Sequence, residues 1–595
     1  MSEKVKKNTG NGVYDKVDGG FMSKTICVFL FLIIAASGVA ISSEKSEPVT
    51  NECGFIAIEP IRFFFHYQDF QTRLELHSSP ARIWYNFQAS DRTDRNTPIF
   101  VFFNGGPGSA SSSGLMSMNT GRYTLDRTID GGGDAFIPNP LPWTQMGHLL
   151  YIDARETGFS YNTMVNPADY MERWREFNAQ NFNCFFDGAD FVRVIIRFLA
   201  RHPSLADHPV VIVGESYGGI RATTLLYLIH QYADLANGRE MYQDPELSRE
   251  IQIHFDRVFP DYSGRTVPPA VISRQFGHQV LIQACISFGH QIEVADTLLR
   301  QPGSLIYRLG EEIGIPYDGQ TDPLTWVNNV AGRDYYIISK PAGWLNAFFA
   351  KGAFLLSFFE QLTRMTGCDL HALTDMYAVN RRQGYRLLDL EPQAGAADEK
   401  PRSAALNPTA RALFLDPQLA AASHSAAERG DLSTIFGVLQ PWDRYHMSLN
   451  SPANQAFHFY NIALLRGYET HYRDHRFGRM FLRNLLHIQT FITNAAFDLV
   501  VYSPAIPASL ARHTDLVSAV EAIGPFHDGR PSELAIHYIP QAFPETPAAA
   551  TRIIRFPYYN QSAHAVSLTQ PQELWLDVRD WLGKTGINLT TEGGQ

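Results

Sequence analysis

One serine sits in a pattern suited to nucleophilic attack. Gly214-Glu215-Ser216-Tyr217-Gly218 fits G-x-S-x-G, in which a sharp strand-to-helix turn projects the serine hydroxyl out of the backbone. A long chain produces such a five-residue match by chance, so the flanks must select it. Residues 209–213 (PVVIV) precede it as a continuous apolar run, and RATTLLYLIHQYADL follows with helical spacing. The glycines are needed because neighbouring side chains would clash in so tight a turn. The chemistry implied is acyl transfer: the hydroxyl attacks a carbonyl once a base takes its proton and N–H donors hold the oxyanion.

The donors are expected in Asn104-Gly105-Gly106-Pro107-Gly108, a glycine-rich turn after the apolar run 98–103 (PIFVFF). The N–H groups of Gly106 and Tyr217 are the expected oxyanion hole. A phosphate-binding loop is excluded there, because no Gly-Lys-Ser/Thr follows. On a strand–elbow–helix scaffold the chain order is serine, then acid, then histidine. Asp498, just past IQTFIT, and His564, just past RIIRF, stand after later strand candidates, where open-sheet sites gather. His564 is the expected base, and Asp498 the group that orients its imidazole and stabilises the charged form.

Other pairs compete less well. His527-Asp528 lie in a Gly/Pro turn and read as solvated loop residues. His513 and Asp515 flank an expected helix start, with Asp515 as a cap. His471 and His475 have i, i+4 spacing but lack the H-E-x-x-H glutamate, so no metal is expected. No cofactor is implied.

The elements that must position these residues alternate. Runs 148–152 (HLLYI), 279–284 (QVLIQA), 488–493 and 552–556 read as buried strands, with helical patterns between them. The expected fold is α/β, an α/β-hydrolase with a mostly parallel central sheet flanked by helices. The alternation breaks over 303–478, read as an inserted cap or lid between a first core part, 53–302, and a second, 479–584. A tail, 585–595, follows.

The net charge of −10 and the absence of a Lys/Arg stripe argue against nucleic acid as a partner. Residues 1–42 read as a polar extension followed by an apolar run, 26–41, behind Lys24 and ending in Gly38-Val-Ala40. At about 1.5 Å per residue the run is short of a hydrocarbon core of roughly 30 Å, so export behind a signal peptide is expected. A retained signal anchor, which would place the chain at a membrane, is the alternative. Met22 competes with Met1 as the start. Beyond the leader, Cys53, Cys184, Cys285 and Cys368 remain. They permit two disulfides in three pairings, or buried thiols.

Taken together, RIWYNFQASDRTDRNTPIFVFFNGGPGSASSSG, NPLPWTQMGHLLYIDARETGFSYN, GESYGG and AHAVSLTQP resemble the serine carboxypeptidase family, over about 82–215 and again over about 485–582. The resemblance implies Ser216, Asp498 and His564 as triad, Gly106 and Tyr217 as oxyanion donors, and Asn104 and Glu215 as ligands of the substrate's terminal carboxylate. Glu215 must then carry or share a proton, which favours peptide binding at acid pH. The chain departs from the family's pattern at Phe102 (tryptophan), Ser109 (cysteine), Asn119 (glutamate) and Ala563 (glycine). The run 494–498 (NAAFD) also lacks one carboxylate of a G-D-x-D. The implied activity is removal of C-terminal amino acids from peptides through an acyl-enzyme, with peptide or protein C-termini as substrates. An esterase or acyltransferase on the same scaffold, or a non-catalytic binding protein that keeps the fold, are the alternatives.

Overall fold

A computed structural model describes residues 49–326 and 476–589, apart from short stretches that include 106–110 and 163–183. The leader and most of the expected cap, 327–475, lie outside the described residues. The chain divides into a unit ending at Val49 and a unit from Thr50 onward.

The unit from Thr50 onward is built on an eleven-stranded sheet. In chain order its principal strands are β1 (Glu52–Ile58), β2 (Ala81–Gln88), β3 (Ile99–Phe103), β4 (His148–Ile152), β5 (Val210–Glu215), β6 (His278–Ile282), β7 (Gln489–Ile492), β8 (Val517–His527), β9 (Arg530–Tyr538) and β10 (Thr551–Arg555). They lie side by side as β1-β2-β4-β3-β5-β6-β7-β10-β9-β8. From β4 to β10 the pairings are parallel, and antiparallel strands close both edges. This is the α/β-hydrolase fold. The apolar runs become the middle strands because no residue of β3, β4 or β5 is exposed, and a strand covered on both faces is apolar along nearly its whole length.

Helices α1 (Cys184–Arg201), α2 (Gly218–His230), α3 (Arg476–Asn484) and α4 (Pro571–Lys584) flank the sheet. Gly188 of α1 lets that helix close on α2: a side chain there would meet Thr224 at 3.0 Å. Asn484 Nδ2 donates to the Thr223 carbonyl at 2.8 Å, tying α3 to α2. Trp581 of α4 packs on Phe491 of β7 at 5.6 Å.

Three sequence expectations change. Run 552–556 is not a buried parallel strand: Ile553 is exposed, and β10 is parallel to β7 at one register pair and antiparallel to β9 along its length. The segment around His527-Asp528 is a hairpin, with β8 ending at His527 and β9 opening at Arg530. His513 and Asp515 do not open a helix. They follow one (Ile506–Ala511) and lead into β8, and Asp515 pairs with Arg479 at 2.5 Å.

Candidate active site

β5 runs straight into the elbow. Glu215 is its last residue, Ser216 follows, and α2 begins at Gly218. Ser216 has φ 59°, the left-handed region that costs a side-chain-bearing residue roughly 1–2 kcal/mol. Its backbone is tied on both sides. The N–H donates to the Ile282 carbonyl (3.0 Å), and the carbonyl accepts from the N–H groups of Cys285 (3.0 Å) and Gly219 (2.9 Å). The end of β6 thus braces the elbow. A side chain at Gly214 would sit 2.4 Å from the Gly218 carbonyl oxygen, and one at Gly105 2.4 Å from the Tyr217 nitrogen. Both positions require glycine because backbone approaches too closely for a Cβ.

Asp498 lies past β7 and is fully buried. Its Oδ1 accepts from the Val501 N–H at 3.0 Å. Its Oδ2 contacts His564 Nδ1 at 3.0 Å and accepts from Gln283 Nε2 at 2.6 Å. A carboxylate on Nδ1 favours the tautomer whose Nε2 is free to accept a proton. Burial opposes the charged imidazole of His564, but the Asp498 charge and hydrogen bond, with Glu215 beyond, raise its pKa above the ordinary value. Ser216 Oγ makes no hydrogen bond among the described residues; such contacts often tighten only with substrate in place. Its neighbour Glu215 couples electrostatically to both His564 and Asp498, which brings the elbow and the Asp–His pair into one site.

Asn104, at the end of β3, donates from Nδ2 to Glu215 Oε1 at 2.9 Å and accepts the Leu115 N–H on Oδ1 at 2.8 Å. Its own N–H donates to Ser111 Oγ (3.2 Å), which in turn donates to the Ile152 carbonyl (2.6 Å). Ser112 binds Asp153 through both N–H and hydroxyl. The chain after the glycine-rich turn is thereby pinned to the end of β4. Burial pushes the Glu215 carboxyl up to about 7, against the lowering effects of His564 and the Asn104 hydrogen bond. Among the described residues its buried Oε2 has no hydrogen-bond partner. Gly106 lies outside the described residues; Tyr217 is buried, and its hydroxyl donates to Cys184 Sγ at 3.1 Å.

Where the chain departs from the family's pattern, the described positions are occupied by structural contacts. Phe102 is fully buried and stacks on Tyr151 at 4.7 Å. Asn119 has φ 63°, and its Nδ2 donates to the Ser567 carbonyl at 3.0 Å, just past His564. Arg221, on α2 behind the elbow, was not singled out by the sequence. It is buried, pairs with Asp187 at 2.8 Å, donates to the Asn104 carbonyl, and lies 5.3 Å from the Tyr217 ring.

The family model of the serine carboxypeptidases matches residues 64–242. Over this segment the chain carries the serine carboxypeptidase pattern. The segment includes Asn104, Glu215 and Ser216, whereas Asp498 and His564 lie beyond it. Serine carboxypeptidase-like 20 of Arabidopsis thaliana is 25% identical over 202 residues, 34% of this chain and 37% of that protein. Serine carboxypeptidase-like 15 of the same plant is 30% identical over 140 residues, 23% of this chain and 29% of that protein. These matches span about a third of the relatives' length. Among solved structures, a prohormone-processing carboxypeptidase of Saccharomyces cerevisiae aligns over 89% of this chain and 91% of its own, at 12% identity and a TM-score of 0.36.

The remaining candidates do not enter this site. His471, His475 and Cys368 lie outside the described residues. Among the described residues no group of His, Cys, Asp and Glu could hold a metal ion, and no helix is long and apolar enough to cross a membrane. Cys285 is a buried free thiol whose pKa is pushed well up by burial and by Asp498.

Proposed function

We propose that the chain is a serine hydrolase that removes single residues from peptide C-termini. The observation that carries this is the left-handed Ser216 at the end of β5, beside an Asp498–His564 pair at 3.0 Å. His564 Nε2 takes the Ser216 proton as Oγ attacks the scissile carbonyl. The Tyr217 N–H, with that of Gly106, receives the oxyanion. His564 then protonates the leaving amine, and water attacks the acyl-enzyme by the same route. Glu215 and Asn104 hold the terminal carboxylate: Asn104 occupies Glu215 Oε1, and the unpartnered Oε2 is free to share a proton with the substrate. The leader-like run 26–41 supports passage through the secretory route.

Digestion of a mixed peptide set by the purified protein, read by mass spectrometry, tests this directly. Successive single-residue losses from the C-terminus are expected. Internal cuts would make it an endopeptidase, and ester turnover without peptide cleavage would move it to the esterase or acyltransferase class.

The pH profile carries a second prediction. The productive form has neutral His564 and protonated Glu215. His564 supplies a rising limb, placed above its ordinary value of 6.5. Glu215 loses its proton near pH 7, so peptide kcat/KM falls as pH rises through that region. The two groups interact, so the limbs report the pair. An ester without a free carboxylate keeps the rise and lacks the fall. Glu215→Gln should abolish the peptide's falling limb and move the rise to lower pH, because a charge that raises the His564 pKa is gone. A peptide profile that shows no fall through neutral pH and above, matching the ester's, would contradict the role given to Glu215.

A further inference from the structure

Among the described residues, only Asn119, Ser216 and Gln283 combine a side chain with positive φ. Left-handed backbone in such residues persists only where the surroundings over-determine it, and it concentrates at functional sites. Ser216 is the candidate nucleophile. Asn119 grips the backbone just past His564. Gln283 immediately follows β6, has φ 45° and is fully buried.

The Gln283 amide has every hydrogen-bonding position filled. Its Oε1 accepts from Thr493 Oγ1 at 2.8 Å and from the Ala495 N–H at 3.1 Å. Its Nε2 donates to Asp498 Oδ2 at 2.6 Å and to Ser503 Oγ at 3.1 Å. The backbone N–H of Ala495 can only donate, which fixes the oxygen on that side and turns the NH2 toward the carboxylate. Its own N–H donates to Thr493 Oγ1 at 2.8 Å, so backbone and side chain are locked to the same threonine. Asp498 comes from a run, NAAFD, that supplies no second carboxylate, and the contact arrives instead from the neighbouring strand end.

We propose that Gln283 is a positioning residue that aims Asp498 Oδ2 at His564 Nδ1, with its strained backbone carrying the amide to the carboxylate. The proposal rests on the serine-hydrolase assignment of Ser216, Asp498 and His564. A residue that fixes a triad member need not touch substrate to matter, since a misplacement of about 1 Å costs on the order of a hundredfold in rate.

Two substitutions in the full chain test it. Gln283→Asn tolerates left-handed backbone but is one methylene too short to reach Asp498. Gln283→Glu keeps the acceptor for Thr493 and Ala495 and replaces the donor with an oxygen facing Asp498. Both are expected to fold, as judged by circular dichroism and thermal melting. Both should lower kcat on a small ester by about tenfold to a hundredfold, with KM near wild type. For Gln283→Glu the ratio to wild type should be best at acid pH, where the introduced carboxyl is protonated and can donate. It should worsen as pH rises and two carboxylates oppose each other. Wild type is probed in parallel with a fluorophosphonate. An unlabelled, folded wild type removes the serine assignment and this proposal with it. A labelled wild type whose folded Gln283 variants keep its kcat and pH profile removes this proposal alone.

Discussion

Ser216→Ala is expected to give a folded protein with no measurable turnover and no fluorophosphonate label at the elbow. Loss of a serine nucleophile costs about five to six orders of magnitude in kcat, because the remaining triad members have nothing to activate. The nearby thiol, Cys285, is buried and its pKa is driven well up by burial and by Asp498, so the thiolate is not available. Ser216→Gly gives a separate signal. Glycine adopts φ 59° without the Cβ penalty, so this variant should be inactive yet more stable than wild type by about 1 kcal/mol. Ser216→Ala keeps the penalty and should melt near wild type. Residual ester turnover above about 1% in Ser216→Ala would mean another nucleophile, since it lies orders of magnitude above the expected loss. No gain in melting temperature for Ser216→Gly would mean that the elbow stores no strain.

The elbow was legible in sequence because its constraints are local. A buried parallel strand is apolar along nearly its whole length, and a turn this tight requires glycine at Gly214, so PVVIV-GESYGG exposes both element and site. The ordering Ser216, Asp498, His564 was legible for a related reason: each residue follows a strand of the parallel centre or its immediate edge. The hairpin β8–β9 was not. Pro525 and Pro531 fall within its strands, and GPFHDGRP resembles an open loop. A register shift between Ile523 and Phe526 absorbs the irregularity, at a strand that pairs on one side only, where proline and bulges are tolerated. Arg221 and Gln283 escaped notice because their partners are distant in sequence. Arg221 meets Asn104 across 117 positions, and Gln283 meets Asp498 across 215. No periodicity encodes such a pairing. The Asn104–Glu215 bond spans 111 positions; the family resemblance implied only that both residues meet the substrate's carboxylate, not that they bond to each other. The cysteines illustrate the converse: their spacing left pairing and burial equally open, and the structure buries Cys184 and Cys285 against the elbow rather than at the surface.

Asp498→Asn is expected to lower kcat by about four orders of magnitude, the usual cost of removing the carboxylate behind a catalytic imidazole. The arrangement around Asp498 says which part of that cost applies here. Two side-chain donors, His564 Nδ1 and Gln283 Nε2, converge on Oδ2, and Oδ1 accepts the Val501 N–H. An asparagine must set its NH2 against one side. An NH2 on the Oδ2 side would oppose both His564 and Gln283, so the oxygen is expected to remain toward His564, with the NH2 on the Val501 side. The productive tautomer of His564 then survives, and the loss comes from the missing charge that would stabilise the imidazolium as it forms. The pH profile separates this from a tautomer switch. The Asp498 charge and hydrogen bond raise the His564 pKa against the opposing effect of burial. With the charge gone, burial dominates and the pKa falls. Residual ester hydrolysis by Asp498→Asn should therefore begin to rise at lower pH than in wild type. Adding Gln283→Glu to this background replaces a donor on the Oδ2 side, lets the asparagine turn, and should cost a further loss that has no pH limb. Asp498→Asn activity within tenfold of wild type, or a rising limb that does not move, would show that the carboxylate does not govern the imidazole.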